Sequence, residues 1–164
     1  MIRVAVVTIS DSAVAGTRED RSGPALRARV TELGWSVAET RLVADDAEAI
    51  SATLLTLADA GVDVILTTGG TGVAPRDVTP EAVRRIADRE IPGFGELMRS
   101  EGLKSTKLAP LSRGGAVTRG TTLIINFPGS PRGSIDSLNA VAHLIPHVVD
   151  LLQGRTEHRE QPST

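Results

Sequence analysis

Four apolar runs rich in β-branched residues alternate with helix-like segments along this chain. The runs cover residues 2–9, 35–43, 62–68 and 121–127. Helical spacing of apolar side chains, or a helix-starting pattern, marks residues 22–34, 45–61, 79–89 and 134–154. Such runs are typical of strands that helices cover on both faces of a parallel sheet. The alternation predicts an α/β fold, with a single three-layer domain in which helices flank a mostly parallel sheet.

The length of 164 residues suits one domain, which we predict at residues 1–154, followed by a polar C-terminal tail at residues 155–164. A net charge of −2, with one Trp, two Phe and no Tyr, argues against nucleic acid as a partner. No apolar run reaches membrane-spanning length, and the absence of Cys excludes zinc–thiolate and cysteine-nucleophile sites. The first residues predict a strand rather than a signal peptide, so we expect a cytoplasmic protein without a membrane partner.

Local residue patterns predict where several helices begin and end. Thr79 followed by Pro80 is typical of an N-cap and a first helical position, and Ser134 is the expected N-cap of the last helix. Gly34 suits the position just after a helix, where the backbone often takes a positive φ. Pro146 lies inside the last helical segment and is expected to kink or divide it.

The segments that follow the four predicted strands are small, polar or rich in glycine. They cover residues 10–23, 44–46, 69–77 and 128–134. Ligands of open α/β sheets bind beyond the carboxyl ends of the strands. Because these segments are expected to meet along one edge of the sheet, the sequence predicts a binding site there without relying on any single motif.

A glycine loop follows the third predicted strand and contains Gly69, Gly70, Thr71 and Gly72. Glycine lets phosphate oxygens approach backbone N–H groups closely, and it also permits tight turns that serve packing alone. The loop matches neither a Walker A motif nor the dinucleotide-binding fingerprint. We predict a loop that binds an anion or ligand, with a packing turn as the alternative.

Three carboxylates stand close to the predicted edge. Asp77 lies between the glycine loop and a helix start, where a carboxylate beside phosphates requires a bridging metal ion such as Mg²⁺. Asp45 and Asp46 follow the second predicted strand, and either residue suits a second metal ligand or a helix cap. From the residues alone, capping and compensation of the helix dipole are favoured for both.

Other polar residues of the predicted edge suit a ligand contact or a structural role. Ser10 and Asp11 suit a ligand site or a turn that their side chains stabilise. Ser112 and Arg113 suit a ligand site or a solvated loop, and residues 128–134 form a turn rich in backbone N–H groups.

His143 and His147 stand four residues apart on a largely apolar helix, where packing or surface positions are favoured over metal binding. No Ser-His-Asp arrangement is evident in the sequence. Without an evident base, the expected chemistry is positioning plus metal electrostatics, as in phosphoryl and nucleotidyl transfer.

Two segments together resemble the Mog/MoaB family of molybdenum cofactor biosynthesis, and also the G domain of gephyrin and its plant counterpart. They read LTTGGTGVAPRDVTPEA (residues 66–82) and TLIINFPGSPRGS (residues 122–134). The resemblance extends from about residue 3 to residue 154. In two respects the chain departs from many Mog enzymes, since Ala44 replaces a proline and residues 134–152 are compact, as in MoaB.

The resemblance implies an activity and a set of site residues. Family enzymes use Mg-ATP to adenylylate the terminal phosphate of molybdopterin and release pyrophosphate. Asp77 and Asp45 would act in catalysis and in binding Mg²⁺ with ATP. The residues expected at the nucleotide or the pterin are Gly69, Gly70, Thr71, Gly72, Pro128, Gly129 and Ser130, with Ser10, Asp11, Ser112 and Arg113 placed toward the pterin phosphate.

The resemblance implies partners as well. Family members are commonly homotrimers, some are hexamers, and they pass the adenylylated pterin to a separate molybdate-insertion protein. A non-catalytic molybdopterin-binding paralogue or carrier of the MoaB type is the alternative function. Retention of both Asp45 and Asp77 favours the enzyme, because a pure binder of the pterin phosphate gains little from metal-binding carboxylates.

Overall fold

The structure is a computed structural model that describes residues 1–156, and its strands follow the apolar runs of the sequence. Six strands form one sheet in the spatial order β2-β1-β3-β6-β5-β4. Their bounds are β1 Arg3–Ile9, β2 Ser36–Val43, β3 Val64–Thr68, β4 Arg89–Ile91, β5 Ala116–Arg119 and β6 Thr122–Phe127.

The four strands that the sequence predicts pair in parallel, which confirms the expected sheet type. The two remaining strands, β4 and β5, add an antiparallel edge beside β6. Sequence analysis missed them, because they contain only three and four residues and carry no long apolar run. Gly120, with φ +55°, makes the tight turn from β5 into β6.

Helices cover both faces of the sheet, so the three-layer prediction is also confirmed. Their bounds are α1 Asp11–Val14, α2 Ser22–Glu32, α3 Ala47–Asp59, α4 Thr79–Arg84, α5 Pro92–Gly102, α6 Pro131–Val141 and α7 Ile145–Leu152. Helices α2, α5, α6 and α7 pack into the apolar cluster on one face, and α3 and α4 into the cluster on the other.

Alternation along the strands divides the core between these two layers. In β1, Val4 and Val6 belong to the cluster beneath α2 and α6, whereas Ala5 and Val7 belong to the cluster beneath α3. All four side chains are fully buried. This two-sided burial explains why the strand is continuously apolar rather than alternating with polar residues.

Two predicted N-caps are wrong, by one residue for α4 and by four residues for α6. Val78 occupies the N-cap of α4, and Thr79 is already helical, because its side chain turns back to the glycine loop. Ser130 caps α6 by accepting a hydrogen bond from Gly133 N, so the helix begins before Ser134. Pro131 then takes the first helical position, where its missing N–H costs nothing.

The predictions for Gly34 and Pro146 are confirmed. Gly34 has a φ of +79° directly after the C-cap Leu33 of α2. Before Pro146, a 3₁₀ turn at Ala142–Leu144 divides the predicted last helix into α6 and α7. Of the predicted tail, residues 155 and 156 are described, and the rest lies outside the described residues.

Across residues 1–156, no helix combines the length and the apolar character that crossing a bilayer would require.

Leu138 anchors α6 to the sheet and is fully buried. We expect Leu138→Ala to lower the free energy of unfolding by about 2–5 kcal/mol, since it removes buried methyl groups and leaves a cavity. Urea unfolding followed by circular dichroism measures this loss. Leu151→Ala is the matched control, because Leu151 is 47% exposed and its truncation should cost less than about 1 kcal/mol. Equal losses in the two variants would contradict this account of the core.

Candidate active site

The carboxyl ends of the parallel strands open into a cleft with a volume of about 600 Å³. Its walls come from the segments after β1, β2, β3 and β6, so the predicted convergence at one sheet edge is confirmed. The lining residues are Thr8, Ile9, Ser10, Ala13, Arg18, Glu19, Asp20, Arg21, Ser22, Asp45, Thr68, Gly69, Gly70, Asp77, Gly129, Ser130 and Pro131.

The glycine loop begins with two residues of positive φ, +107° at Gly69 and +67° at Gly70. A Cβ at Gly69 would overlap the carbonyl oxygen of Ile9, at the end of β1. Gly69 N donates a hydrogen bond to Phe127 O, at the end of β6 (3.1 Å). Packing therefore requires glycine at residue 69, and the same residue lines the cleft, so the turn and ligand interpretations are compatible.

Thr79 fixes the loop from the start of α4. Its Oγ1 donates to Gly69 O (3.0 Å), and its backbone N donates to Gly70 O (3.1 Å). A Cβ at Gly70 would overlap Thr79 Oγ1 and would come within 3.1 Å of Asp45 Oδ1. The Asp45 carboxylate therefore lies directly beside the glycine loop.

Asp45 and Asp46 have different roles despite being neighbours. The Asp46 side chain accepts from Glu48 N (3.2 Å) and caps α3, as the capping interpretation expects. Asp45 Oδ2 instead accepts from Asp11 N (2.9 Å), and Asp11 Oδ1 accepts from Asp45 N (3.0 Å). This reciprocal pair joins the loops after β1 and β2 and places the Asp45 carboxylate in the cleft.

The electrostatic surroundings distinguish Asp45 from Asp11. Arg76 lies 2.6 Å from Asp11 Oδ2 and holds the pKa of that carboxyl below its ordinary value. Burial raises the pKa of Asp45, and the nearby charges of Asp11 and Asp77 raise it further. An ionised Asp45 is therefore a carboxylate in need of a counter-charge, which a bound cation would supply.

Asp77 folds back over the glycine loop. Its Oδ2 accepts from Ala74 N (3.0 Å) and stands 2.7 Å from the place a Cβ on Gly72 would take. Asp77 lines the same cleft as Asp45. Two carboxylates from different strand ends thus face one cavity next to a glycine loop.

The turn after β6 forms another wall of the cleft. Thr68 Oγ1 donates to Pro128 O (2.7 Å), and a Cβ on Gly129 would meet Gly69 Cα at 3.3 Å. Ser130 lines the cleft and also a second, more apolar pocket next to it. The residues around this second pocket are Met98, Arg99, Thr106, Leu108, Ala109, Ser112, Gly114, Pro128, Ser130, Gly133 and Ser137.

Arg113 supports the glycine loop from behind. Its Nε donates to Gly72 O (2.8 Å), its Nη2 donates to Asp77 O (2.7 Å), and its guanidinium pairs with Glu81. Arg113 N also donates to the carbonyl oxygen of Thr71 (2.8 Å). The side chain of Thr71 is buried. Arg113, Thr71 and Gly72 therefore shape the loop without lining the cleft.

The remaining predicted residues, Ser10, Asp11 and Ser112, lie in three different places. Ser10 lines the cleft. Its Oγ accepts a hydrogen bond from Ala13 N (3.2 Å), so Ser10 also caps α1. Asp11 lies just behind Asp45 and is committed to Arg76. Ser112 lines the second pocket instead of the cleft.

Sequence analysis placed residues 10–23 at this edge of the sheet but did not single out Asp20, which anchors one wall of the cleft. Asp20 Oδ2 accepts from Thr8 Oγ1 (2.7 Å), and its Oδ1 accepts from Gly23 N (3.0 Å) at the start of α2. Arg18 and Arg21 flank it on the same wall. An aspartate three residues before a glycine at a predicted helix start was the available signal, because that spacing permits side-chain capping.

Within the described part of the chain, no group of three or more His, Cys, Asp or Glu side chains is arranged to hold a metal ion. His143 and His147 are exposed, which agrees with the surface interpretation. Asp45 and Asp77 fit Mg²⁺, which binds through one or two carboxylates and takes its other ligands from phosphates and water.

Comparison with known proteins identifies the family. The family described as "Probable molybdopterin binding domain" matches residues 5–147. The chain belongs to this family, as the resemblance of its two motifs predicted.

Relatives and solved structures agree with this assignment. The chain is 42% identical over 156 residues to a molybdopterin adenylyltransferase of Helicobacter pylori, an alignment that covers 93% of this chain and 89% of that protein. It is 40% identical over 168 residues to the Escherichia coli protein of the same name, in an alignment that covers 93% of this chain and 86% of that protein. The crystal structure of the molybdopterin biosynthesis enzyme MoaB from Thermus thermophilus matches with a TM-score of 0.89 and 48% identity, covering 94% of this chain and 98% of that one.

We expect Gly69→Ala to destabilise the protein by more than Gly120→Ala. Both glycines have positive φ, which costs a non-glycine residue about 1–2 kcal/mol. Only at Gly69 does the added methyl group also overlap a backbone carbonyl, whereas open space surrounds Gly120. Urea unfolding of the two variants compares the losses, and equal losses would contradict the close contact between Gly69 and Ile9.

The ion pair between Glu81 and Arg113 should stabilise the protein only when Glu81 is ionised. Arg113 lowers the pKa of Glu81 below its ordinary 4.5. This contribution is therefore complete above pH 4.5 and is lost as the pH falls through the lower folded-state pKa. We expect Glu81→Gln to lower the melting temperature at pH 7 and to lower it progressively less below pH 4.5.

Because this pair is partly exposed, its contribution at pH 7 should be less than about 1 kcal/mol. Melting temperatures from pH 3 to pH 7 measure the effect. Glu96→Gln, at an exposed position on α5, controls for the change in net charge. A Glu81→Gln deficit that grows with acidity would refute the assignment.

Proposed function

We propose that this protein is a molybdopterin adenylyltransferase of molybdenum cofactor biosynthesis. It transfers the adenylyl group of ATP to the terminal phosphate of molybdopterin and releases pyrophosphate. The observation that carries this proposal is the position of Asp45 and Asp77, which face one cleft beside the glycine loop. The names of the relatives in Helicobacter pylori and Escherichia coli support the same activity.

In this proposal ATP occupies the cleft. The glycine loop and the turn at Gly129 and Ser130 offer backbone N–H groups to phosphate oxygens. Ser130 also stands at the N-terminus of α6, an 11-residue helix whose dipole favours an anion. Mg²⁺ held by Asp45 and Asp77 would neutralise phosphate charge and polarise the phosphorus centre.

Molybdopterin occupies the second pocket. Met98 and Leu108 give this pocket an apolar wall suited to a ring system, and Ser112 and Ser130 supply hydroxyl groups for polar substituents. Ser130 and Pro131 border the cleft, and Ser130 borders both cavities. A pterin phosphate directed toward Ser130 therefore reaches the α-phosphate of the nucleotide.

The chemical step needs no base from the protein. An oxygen of the pterin phosphate is already an anion, and it forms a bond to the α-phosphorus while the bond from that phosphorus to the β-phosphate oxygen breaks. The difficulty lies in bringing two anions together. The glycine loop and the N-terminus of α6 reduce this repulsion by placing fixed N–H dipoles around the reacting phosphates.

Two further features rest on the family resemblance. We propose that the protein assembles as a homotrimer, with a hexamer as the variant found in some members, and that it passes its product to a molybdate-insertion protein. Light scattering of the purified protein tests the first proposal, because a monomer mass would overturn it.

We expect Asp77→Asn and Asp45→Asn each to lower the rate of adenylyl transfer by about 100-fold or more, since each removes a charge that holds Mg²⁺. Single-turnover reaction with molybdopterin and Mg-ATP measures adenylylated pterin and pyrophosphate. Asp46→Asn is the matched control, because Asp46 is the adjacent carboxylate, is exposed, and asparagine caps a helix equally well.

The same experiment separates the enzyme from the pterin-binding alternative. Product from the wild type that is lost in Asp77→Asn, while molybdopterin still binds, would support the enzyme and the metal role. Tight binding of molybdopterin without any adenylylated product from the wild type would overturn the enzyme and leave a binding protein.

A further inference from the structure

The cleft carries less positive than negative charge, although its proposed substrate is an anion. Four carboxylates line it, and among residues 1–156 the cationic side chains on its wall are Arg18 and Arg21. The nearby Arg76 and Arg113 are committed to Asp11 and Glu81. A nucleoside triphosphate carries more negative charge than one divalent cation neutralises, so further cations are needed where its outer phosphates lie.

The segment that carries Arg18 and Arg21 is fixed at both ends. The backbone N–H groups of Thr17 and Arg18 donate to Ser12 O (3.0 and 3.3 Å). At the other end, Asp20 is held by Thr8 and by the first turn of α2. The backbone is therefore positioned beside the cleft.

The two guanidinium groups are available to a ligand. Both residues are exposed. Arg21 has a weak ion pair with Glu19, with an N–O distance of 3.4 Å and side chains 76% and 77% exposed. Pairs of this kind contribute little to stability, so a phosphate can replace Glu19 at small cost.

The direction of the reaction decides which phosphates these arginines meet. In an in-line displacement, the leaving group departs on the side of the phosphorus opposite to the attacking oxygen. The pterin phosphate enters from the second pocket, at Ser130. Neither Arg18 nor Arg21 lines that second pocket. The arginine wall thus lies in the cleft and outside the pterin pocket, as a site for a pyrophosphate that leaves away from the pterin requires.

We propose that Arg18 and Arg21 bind the β- and γ-phosphates of ATP and hold pyrophosphate as it leaves. Guanidinium groups suit this role because their planar N–H pairs match two phosphate oxygens at once. The wall makes the cleft select a nucleoside triphosphate over a monophosphate. This inference rests on the proposed function, since it assigns the outer phosphates of the same substrate.

Calorimetric titration with Mg-ATP, Mg-ADP and AMP tests the inference through binding alone. For Arg18→Ala/Arg21→Ala we expect the Kd of Mg-ATP to rise tenfold or more, the Kd of Mg-ADP to rise less, and the Kd of AMP to change less than twofold. The charge-matched control is Arg27→Ala/Arg85→Ala, which removes two exposed arginines outside the cleft. It should bind all three nucleotides as the wild type does.

Other results would overturn either the role of the two arginines or the proposed function, and the measurements distinguish these two cases. An equal loss for ATP and AMP, or an equal loss of ATP affinity in the control, would overturn the inference, because specific contacts to the outer phosphates would be excluded. A wild type that binds neither ATP nor AMP would overturn the proposed function together with the inference. A wild type that binds ATP but forms no adenylylated pterin would overturn the enzyme alone, and the two arginines would still be judged by the ratio of ATP to AMP affinity.

Discussion

The close contact between Gly69 and the end of β1 sets the geometry of the whole site. Because residue 69 has no side chain, its backbone reaches the carbonyl of Ile9 and bonds to Phe127 at the end of β6. The carboxyl ends of the neighbouring strands β1, β3 and β6 are therefore held side by side. The cleft exists because the loops leave these strands from a common edge, and the second pocket lies where the turn after β6 continues into α6.

Most acidic side chains around the cleft have a structural partner, and this pattern supports the proposal that Asp45 and Asp77 serve a ligand. Asp46 caps a helix, Asp11 is neutralised by Arg76, and Asp20 anchors the segment before α2. Within residues 1–156, Asp45 and Asp77 each accept a hydrogen bond from a backbone N–H group. Neither carboxylate pairs with a side-chain cation in this part of the chain, which suits the proposed metal ion between protein and phosphate.

The sequence predicts the parallel strands and the location of the site because long β-branched runs and glycine-rich loops are strong local signals. It does not predict β4 or β5, since three or four residues carry no periodicity. The local pattern favours capping for both Asp45 and Asp46, and the structure shows it for Asp46. The family resemblance, rather than the local pattern, assigns a catalytic role to Asp45. Two adjacent aspartates have the same local preference, and a contact with Asp11, distant by 34 residues, decides between them. Arg113 likewise supports the loop through tertiary bonds.

Adjacent residues serve the two cavities: Ser112 lines the second pocket, and Arg113 holds the glycine loop. Ser112 lines that pocket, while the next residue, Arg113, bonds to the backbone of Thr71, Gly72 and Asp77. Under the proposed function, a different side chain at residue 112 would adapt this pocket to another pterin while the bonds of Arg113 still hold the glycine loop. An inserted or deleted residue in this segment would shift both cavities together. The length of the segment, more than its chemistry, is therefore what descendants of this fold must preserve.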